Sequence, residues 1–286
     1  MAGILFLACL TISEFPHPGR RLTRHLVAET HLVVRSRMGG SEAESCCRDS
    51  KIGFVGNGQL WTAHRLRYNG RVDQILVVEM GSSSRFWDRI ANRYSRQPIA
   101  DEAAYQKKLE ITRSYFRSDI KVLEFGCGTG STAISHSPSV RHIRAIDISS
   151  KMIEIAEEKA ANAKIENITF EQSTIEMINV PDQSFDVVLG LSILHLLEDK
   201  EDAISKVHRM LKPGGVFVTS TSCIGDSMKF FKVIAPVGKF LGLMPLVRVF
   251  TTEELAASLT DAGFEIDHQW QPGKGKAVFI VAKKAG

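Results

Sequence analysis

Apolar residues recur with a regular period from Met80 onward, and that period alternates between helical and extended spacing. The first two apolar-periodic segments have helical spacing, RFWDRIANRYSRQPI and DEAAYQKKLEITRSYF. Short apolar runs typical of strands then alternate with segments of helical spacing. The predicted strands are KVLEFG, HIRAID, NITFEQ, SFDVVLGLS and GGVFVTST, and the predicted helices between them are STAISHS, SKMIEIAEEKAANA and DKEDAISKVHRML.

The last forty residues complete this pattern. TTEELAASLTDAG predicts a helix that begins at a threonine cap with a glutamate three residues later. FEIDHQWQ and KAVFIVAKK predict an antiparallel hairpin. The alternation of strands and helices predicts an α/β fold, with a doubly wound, mostly parallel seven-stranded sheet, helices on both faces and an antiparallel C-terminal hairpin.

Residues 1–79 differ from the rest of the chain in composition. They contain nine arginines and a single lysine, Lys51, whereas the remainder contains ten arginines and sixteen lysines. One interpretation is an arginine-rich targeting or disordered extension. The favoured interpretation is an upstream translated stretch, with Met80 as the natural start. We therefore expect an atypical or poorly ordered extension over 1–79 and one domain over 80–286.

Charge and cysteine usage exclude several classes of protein. The net charge of +4 is small and dispersed, so no nucleic-acid partner is expected. Five cysteines without CxxC or histidine spacing favour neither a disulfide framework nor a zinc site, and they indicate a reducing, cytoplasmic compartment. Because no apolar run reaches about 18 residues, no transmembrane segment is predicted.

The segment VLEFGCGTGSTA places three glycines between a predicted strand, Lys121 to Phe125, and a predicted helix. Glycine permits positive φ and removes the side chain that would keep a ligand from the backbone, although a tight packing turn is an alternative. Glu124 lies within the apolar strand, where a buried carboxylate needs a partner. Asp147 ends the next strand and is placed to accept hydrogen bonds from ribose hydroxyls, or alternatively to cap the following helix.

These residues resemble the class I S-adenosylmethionine-dependent methyltransferase family, through E-x-G-x-G-x-G, the acid that ends the second strand, and LKPGG before the fifth. The resemblance covers a core of about 120–222, with a looser match to Lys284. It implies a Rossmann-like fold, S-adenosyl-L-methionine as cofactor, and methyl transfer. The implied cofactor-binding residues are Glu124, Gly126, Cys127, Gly128, Gly130, Asp147, Ile148, Met152, Ser173, Thr174, Ile175 and Leu191.

Each of these positions has an implied role. Glu124 would help to hold the methionine amino group, and Asp147 would accept from the ribose hydroxyls. Ile148 and Met152 would pack near the adenine. Ser173 stands where the family often has an acid that accepts from the adenine amino group, which puts adenine selectivity in doubt.

The chemistry requires few dedicated groups. Methyl transfer from a sulfonium is an in-line displacement in which the protein supplies orientation and a dry site, so a general base is optional. His195 is the candidate base, and packing beneath the sheet or capping a local turn is the alternative. Cys127 is expected to be a loop residue and not a nucleophile. No metal is expected.

The acceptor is predicted to be a small apolar or aromatic molecule bound outside the sheet. Two segments are candidates to select it, the helical entry 86–116 and a lid over 225–250 that is rich in phenylalanine and lysine. The lid segment has two alternative interpretations, an ordinary helix pair over the core and a peripheral contact with a membrane surface. Rival functions are a non-catalytic S-adenosylmethionine-binding protein and a nicotinamide-dependent oxidoreductase; the latter's GxGxxG fingerprint would need glycine at Ser131.

Overall fold

A computed structural model describes residues 8–10, 48–56, 59–68, 71–79, 81–226 and 246–286, with side chains from residue 83 onward. The chain divides into two compact units, Met1–Gly81 and Ser82–Gly286. In the first unit, four strands form an antiparallel sheet in the order β1-β4-β3-β2: β1 Ala8–Leu10, β2 Arg48–Gly56, β3 Gln59–Tyr68 and β4 Arg71–Glu79. The interpretation of 1–79 as an atypical extension stays a prediction.

The second unit follows the predicted alternation of strands and helices. Its strands are β5 Lys121–Phe125, β6 His142–Asp147, β7 Ile168–Gln172, β8 Phe185–Leu191, β9 Leu211–Thr221, β10 Phe264–Trp270 and β11 Val278–Lys284. The described helices are α1 Gly81–Ser95, α2 Glu102–Arg113, α3 Ser131–His136, α4 Ser150–Asn162, α5 Lys200–Met210 and α6 Thr252–Asp261. Most of the predicted lid falls on residues 227–245, which lie outside the described residues.

The seven strands form one sheet in the order β10-β11-β9-β8-β5-β6-β7. Strands β7, β6, β5, β8 and β9 are parallel to one another, whereas β11 is antiparallel to both β9 and β10. The predicted doubly wound sheet with a C-terminal hairpin is therefore confirmed. Strand β5 lies between β6 and β8, so the strand order reverses there and opens a crevice at the carboxyl end of β5.

Both faces of the sheet are buried. Leu123, Phe125 and Phe217 point to the face covered by α5 and α6. Val122, Leu189 and Val218 point to the opposite face, which also packs residues from α3, α4 and the end of α2; we call it the α2 face. Because side chains alternate along a strand, this register decides which residues near the carboxyl ends share a face.

Local hydrogen bonds fix the ends of several elements. The Thr251 side chain and Glu254 form a capping box at the start of α6, as the sequence predicts. Asp186 on β8 accepts from the Lys121 backbone N–H at 2.9 Å and from Lys212 Nζ, so it orients the edge of the sheet remote from the crevice. Among the described helices, none is both long and apolar enough to cross a bilayer.

Candidate functional site

The turn between β5 and α3 contains three glycines, all with positive φ, but their surroundings differ. A Cβ on Gly126 would lie 2.7 Å from Ile193 Cγ1, and one on Gly130 would lie 2.8 Å from Ala156 Cβ. A Cβ on Gly128 would meet only Tyr94 Cε1, at 3.8 Å. Gly126 and Gly130 are therefore needed for packing, whereas Gly128 leaves the backbone open toward the crevice.

Asp147, at the end of β6, faces this turn. Its Oδ2 accepts from the Gly128 N–H and its Oδ1 from the Ser149 N–H, both at 2.9 Å. The side chain is 8% exposed, and burial raises its pKa, while these backbone N–H groups act in the opposite direction. A carboxylate has about four acceptor positions, so acceptor capacity remains for a ligand hydroxyl. Asp147 thus both holds the turn and presents an acceptor to the crevice.

Glu124 is a buried carboxyl group with an unsatisfied oxygen. It is 3% exposed, and its Oε2 has no hydrogen-bond partner among the residues that the structure describes. Burial, and secondly the negative charge of Asp147, raise the pKa of Glu124 to about 8. A buried acceptor of this kind is costly unless something donates to it, and a cationic donor would also favour its ionised form.

The residues predicted to surround an adenine follow the carboxyl ends of β6 and β7. The Ser173 N–H donates to the Asp147 carbonyl at 2.9 Å, which joins the two strand ends. Ser173, Ile175 and Met152 are buried, and Thr174 Oγ1 is a second buried atom without a partner. Gln172 Nε2 donates to the Ile148 carbonyl, so the loop after β6 is held against β7.

Helix α1 lies against the same turn and contributes two residues whose roles the sequence did not predict. Tyr94 approaches Gly128 and is 47% exposed, and its partial burial, together with the negative charge of Asp147, raises the pKa of Tyr94. Asp88 accepts from Ser149 Oγ at 2.6 Å and from the Lys151 N–H at 3.1 Å. The sequence shows only that Asp88 and Tyr94 lie on one predicted helix. It does not reveal that this helix packs against the loop after β6.

The loop after β8 forms the other side of the crevice. Leu191 ends the strand, and Ser192 has a φ of +58°, a left-handed conformation that is strained for serine. His195 follows in a short 3₁₀ turn, with Nδ1 buried and unpartnered. Burial lowers the pKa of His195 to about 4, so its imidazole is neutral at pH 7. Its carbonyl accepts from the Arg248 N–H at 2.7 Å.

Cys127 is a structural part of the turn. Its N–H donates to the Ile146 carbonyl at 3.0 Å, and its side chain packs in the α2-face core. Burial, with the charges of Asp147 and Glu124, raises the pKa of the Cys127 thiol. A neutral thiol is a poor nucleophile, which agrees with the expected loop role.

Comparisons with known proteins place this geometry among relatives. A family model described as a methyltransferase domain matches residues 116–282, more than half of the chain. The methyltransferase YcgJ of Bacillus subtilis, named as uncharacterized, is 34% identical over 110 residues, covering 38% of this chain and 44% of that protein. Its crystal structure superposes with a TM-score of 0.53 at 19% identity, covering 63% of this chain and 99% of that one.

The names of two further relatives state the kind of atom that is methylated. A malonyl-[acyl-carrier protein] O-methyltransferase of Paenibacillus is 30% identical over 152 residues, covering 50% of this chain and 55% of the relative. A ubiquinone/menaquinone biosynthesis C-methyltransferase of Pectobacterium carotovorum is 27% identical over 180 residues, covering 56% and 72% respectively. This chain therefore spans only about half the length of the first two relatives, YcgJ and the malonyl enzyme.

Proposed function

Because this chain belongs to the methyltransferase domain family of class I S-adenosylmethionine-dependent methyltransferases, we propose that it binds S-adenosylmethionine at the Gly128 turn and methylates a small molecule. The observation that carries the proposal is the buried, unpartnered oxygen of Glu124, together with the open space where a side chain on Gly128 would lie. These two features fit an amino-acid ammonium and a nucleoside that approaches the backbone closely.

When bound, S-adenosylmethionine supplies an electrophilic methyl carbon on a sulfonium. The protein's own groups bind and orient. Glu124 would accept from the ammonium, Asp147 from the ribose hydroxyls, and the Ser173–Ile175 segment would surround the adenine. Tyr94, on α1, lies beside the open side of the turn. Alignment of the two reactants and exclusion of water are then the main contributions to the rate.

The acceptor class is proposed from the relatives and the chemistry. The named relatives methylate an oxygen of malonyl-[acyl-carrier protein] and a carbon in quinone biosynthesis. We propose a small apolar or aromatic acceptor with an oxygen or a carbon nucleophile, the two acceptor atoms that these names give. An ionised oxygen needs no base, because the acceptor gives up no proton when the methyl carbon bonds to it and the electron pair of the C–S bond stays on sulfur.

His195 is the candidate proton acceptor for an acceptor that is not already ionised. Its neutral imidazole can take a proton, but a pKa near 4 makes it a weak base. Replacement of His195 by Ala should lower turnover if the base is needed. Full turnover by a folded His195→Ala variant would remove this role.

Isothermal titration with S-adenosylhomocysteine tests the cofactor proposal directly. We expect saturable binding by the full chain, and weakening by Asp147→Ala of roughly tenfold to a hundredfold, as expected for charge-assisted hydrogen bonds. The matched control is Asp182→Ala, in the exposed loop before β8. Undetectable binding by the full chain, or stabilisation against melting by NAD instead, would reject the proposal. Turnover against a panel of carboxylates, phenols and quinols then separates an enzyme from a non-catalytic binding protein.

A further inference from the structure

Lys108 lies at the crevice edge of the sheet and has no carboxylate partner in the described part of the chain. It is half-buried on α2, and its Nζ donates to Ser220 Oγ at 2.8 Å across 112 residues. Ser220 is 3% exposed, is paired with Leu191 at the carboxyl end of β8, and its carbonyl accepts from the Ser192 N–H. The ammonium is therefore held beside the loop that ends β8.

The direction of α2 supports this placement. Tyr105 OH lies 3.4 Å from Thr132 Oγ1 at the start of α3, and Phe116 packs edge-on against His136 at the end of α3. Helices α2 and α3 thus run side by side in the same direction, and the N-terminal half of α2 lies at the carboxyl edge of the sheet. Tyr105 and Lys108 are three residues apart, so they project from the same side of the helix.

Other half-buried lysines of the described domain have either a carboxylate partner or more than one acceptor; Lys159, for example, donates to the hydroxyls of Thr129 and Ser131. Lys212 pairs with Asp186, and Lys284 donates to two backbone carbonyls, of His208 and Leu211. Lys108 has one neutral hydroxyl as its acceptor, and no described carboxylate lies within ion-pair distance of it. Burial lowers the pKa of Lys108, an effect that Asp101 only partly opposes. Of the three donors of this half-buried ammonium, one is directed to a described protein acceptor, so two are available to an anionic ligand.

Glu124 and Ser220 lie on the same face of the sheet. Glu124 pairs with Leu189, which pairs with Val218, two residues before Ser220. Because side chains alternate, all four point to the α2 face. Strand spacing and rise place the Glu124 and Ser220 Cα atoms roughly 12 Å apart, with both side chains on the face that Lys108 covers.

We propose that Lys108 Nζ and Ser220 Oγ form a carboxylate-binding site at this edge of the crevice. The site rests on the proposed function, because its ligand shares the crevice with the methyl donor. A carboxylate could come from two sources, the amino-acid end of the donor or the acceptor itself. With Glu124 for the ammonium and Lys108 for the carboxylate, the crevice carries the two charges complementary to a free amino acid.

Titration of two nucleosides distinguishes these sources. S-adenosylhomocysteine carries the amino-acid group, whereas 5′-methylthioadenosine has the same nucleoside without it. If the donor carboxylate is the ligand, Lys108→Met should weaken S-adenosylhomocysteine binding about tenfold or more and leave 5′-methylthioadenosine unchanged. Lys108→Arg should restore part of the loss, because the charge is retained.

If the acceptor carboxylate is the ligand, Lys108→Met should leave both nucleosides unchanged. It should instead weaken the binding of 3-phenylpropanoate to the S-adenosylhomocysteine complex by about tenfold. Binding of the neutral amide of 3-phenylpropanoate should not change. The matched control is Lys107→Met on the same helix, whose ammonium lies over the Trp270 ring and has no role in the site. Melting curves of every variant check that the fold is retained.

The remaining outcomes decide against the site. Unchanged binding of S-adenosylhomocysteine and of 3-phenylpropanoate by a folded Lys108→Met variant would overturn it, as would equal losses in Lys107→Met. Failure of the proposed function looks different, because the unmodified chain would then bind neither nucleoside.

Discussion

Gly128 and Gly130 have the same left-handed backbone but different surroundings, and this contrast separates binding from stability. A methyl on Gly130 would lie 2.9 Å from Phe170 Cε1 as well as against Ala156, whereas a methyl on Gly128 would enter the crevice. The two substitutions therefore test whether the open side of the turn receives a ligand.

We expect Gly130→Ala to destabilise the domain by about 2 kcal/mol or more, from overpacking and backbone strain. Gly128→Ala should reduce the free energy of unfolding by only about 1 kcal/mol, from strain alone. It should weaken the binding of S-adenosylhomocysteine by about tenfold or more, because the methyl group would occupy the ligand's space. Urea denaturation and titration calorimetry measure the two effects. A Gly128→Ala variant with unchanged affinity would show that the ligand does not approach this glycine.

The raised pKa of Glu124 predicts that ligand binding is coupled to the release of a proton. Its pKa is about 8 in the protein without ligand, so the carboxyl is mainly protonated at pH 7. Binding of an ammonium favours the carboxylate, so S-adenosylhomocysteine should release up to one proton per site. Calorimetry in buffers of different ionisation enthalpy measures this release, and Glu124→Gln should abolish it. Equal proton release by the unmodified protein and by Glu124→Gln would show that Glu124 does not bind the ammonium.

The same group gives a pH dependence of stability in the absence of ligand. The folded carboxyl holds its proton to about pH 8, whereas an ordinary glutamate loses it near pH 4.5. Its contribution to stability is therefore fully present below about pH 4.5 and is lost as the pH rises through about 8. Denaturant unfolding across this window should show a fall that is absent in Glu124→Gln. Parallel pH profiles for the two proteins would contradict the raised pKa.

At the scale of elements, α1 is fastened to the loop between β6 and α4 by one carboxylate. Asp88 accepts from the Ser149 hydroxyl, and the Ser149 backbone N–H donates to Asp147. This chain of contacts links the helix that carries Tyr94 to the acid predicted to bind the ribose. The position of α1 and the geometry of the turn are thereby coupled.

Replacement of Asp88 by Ala should loosen α1, because Ser149 Oγ and the Lys151 N–H lose their acceptor. We expect faster amide hydrogen exchange in α1 and an affinity for S-adenosylhomocysteine lower by about fivefold to tenfold, equivalent to roughly 1 kcal/mol. Asn92→Ala, on the exposed side of the same helix, is the control. If exchange in α1 is the same in both variants, the contact does not hold the helix.

For the whole molecule, the two compact units predict separable folding. The unit Ser82–Gly286 contains the complete seven-stranded sheet and both cores. A protein of residues 82–286 should therefore unfold cooperatively and bind S-adenosylhomocysteine with the affinity of the full chain. Circular dichroism melting and calorimetry test this. Failure of the shorter chain to fold would show that residues 1–81 complete the domain.

The sequence alone specified the order and type of the elements from α1 to β11, because strand-like and helical periods alternate with clear breaks. It also specified the chemistry of the turn, since glycines next to an acid are informative without any partner. Neighbouring elements in sequence supplied Glu124, the glycines and Asp147 to one edge of a parallel sheet. Such local placement follows from the strand register, which hydrophobic patterning determines.

Only the tertiary structure decided which distant residues join that edge. Asp88 and Ser149 are 61 residues apart, and Lys108 and Ser220 are 112 apart. Nothing in the period of α1 or α2 reveals which strand or loop each helix covers, because an amphipathic helix fits any complementary apolar surface. The sequence therefore determined the sheet and its glycine turn. Helix packing determined which charged and tyrosine side chains lie beside that turn.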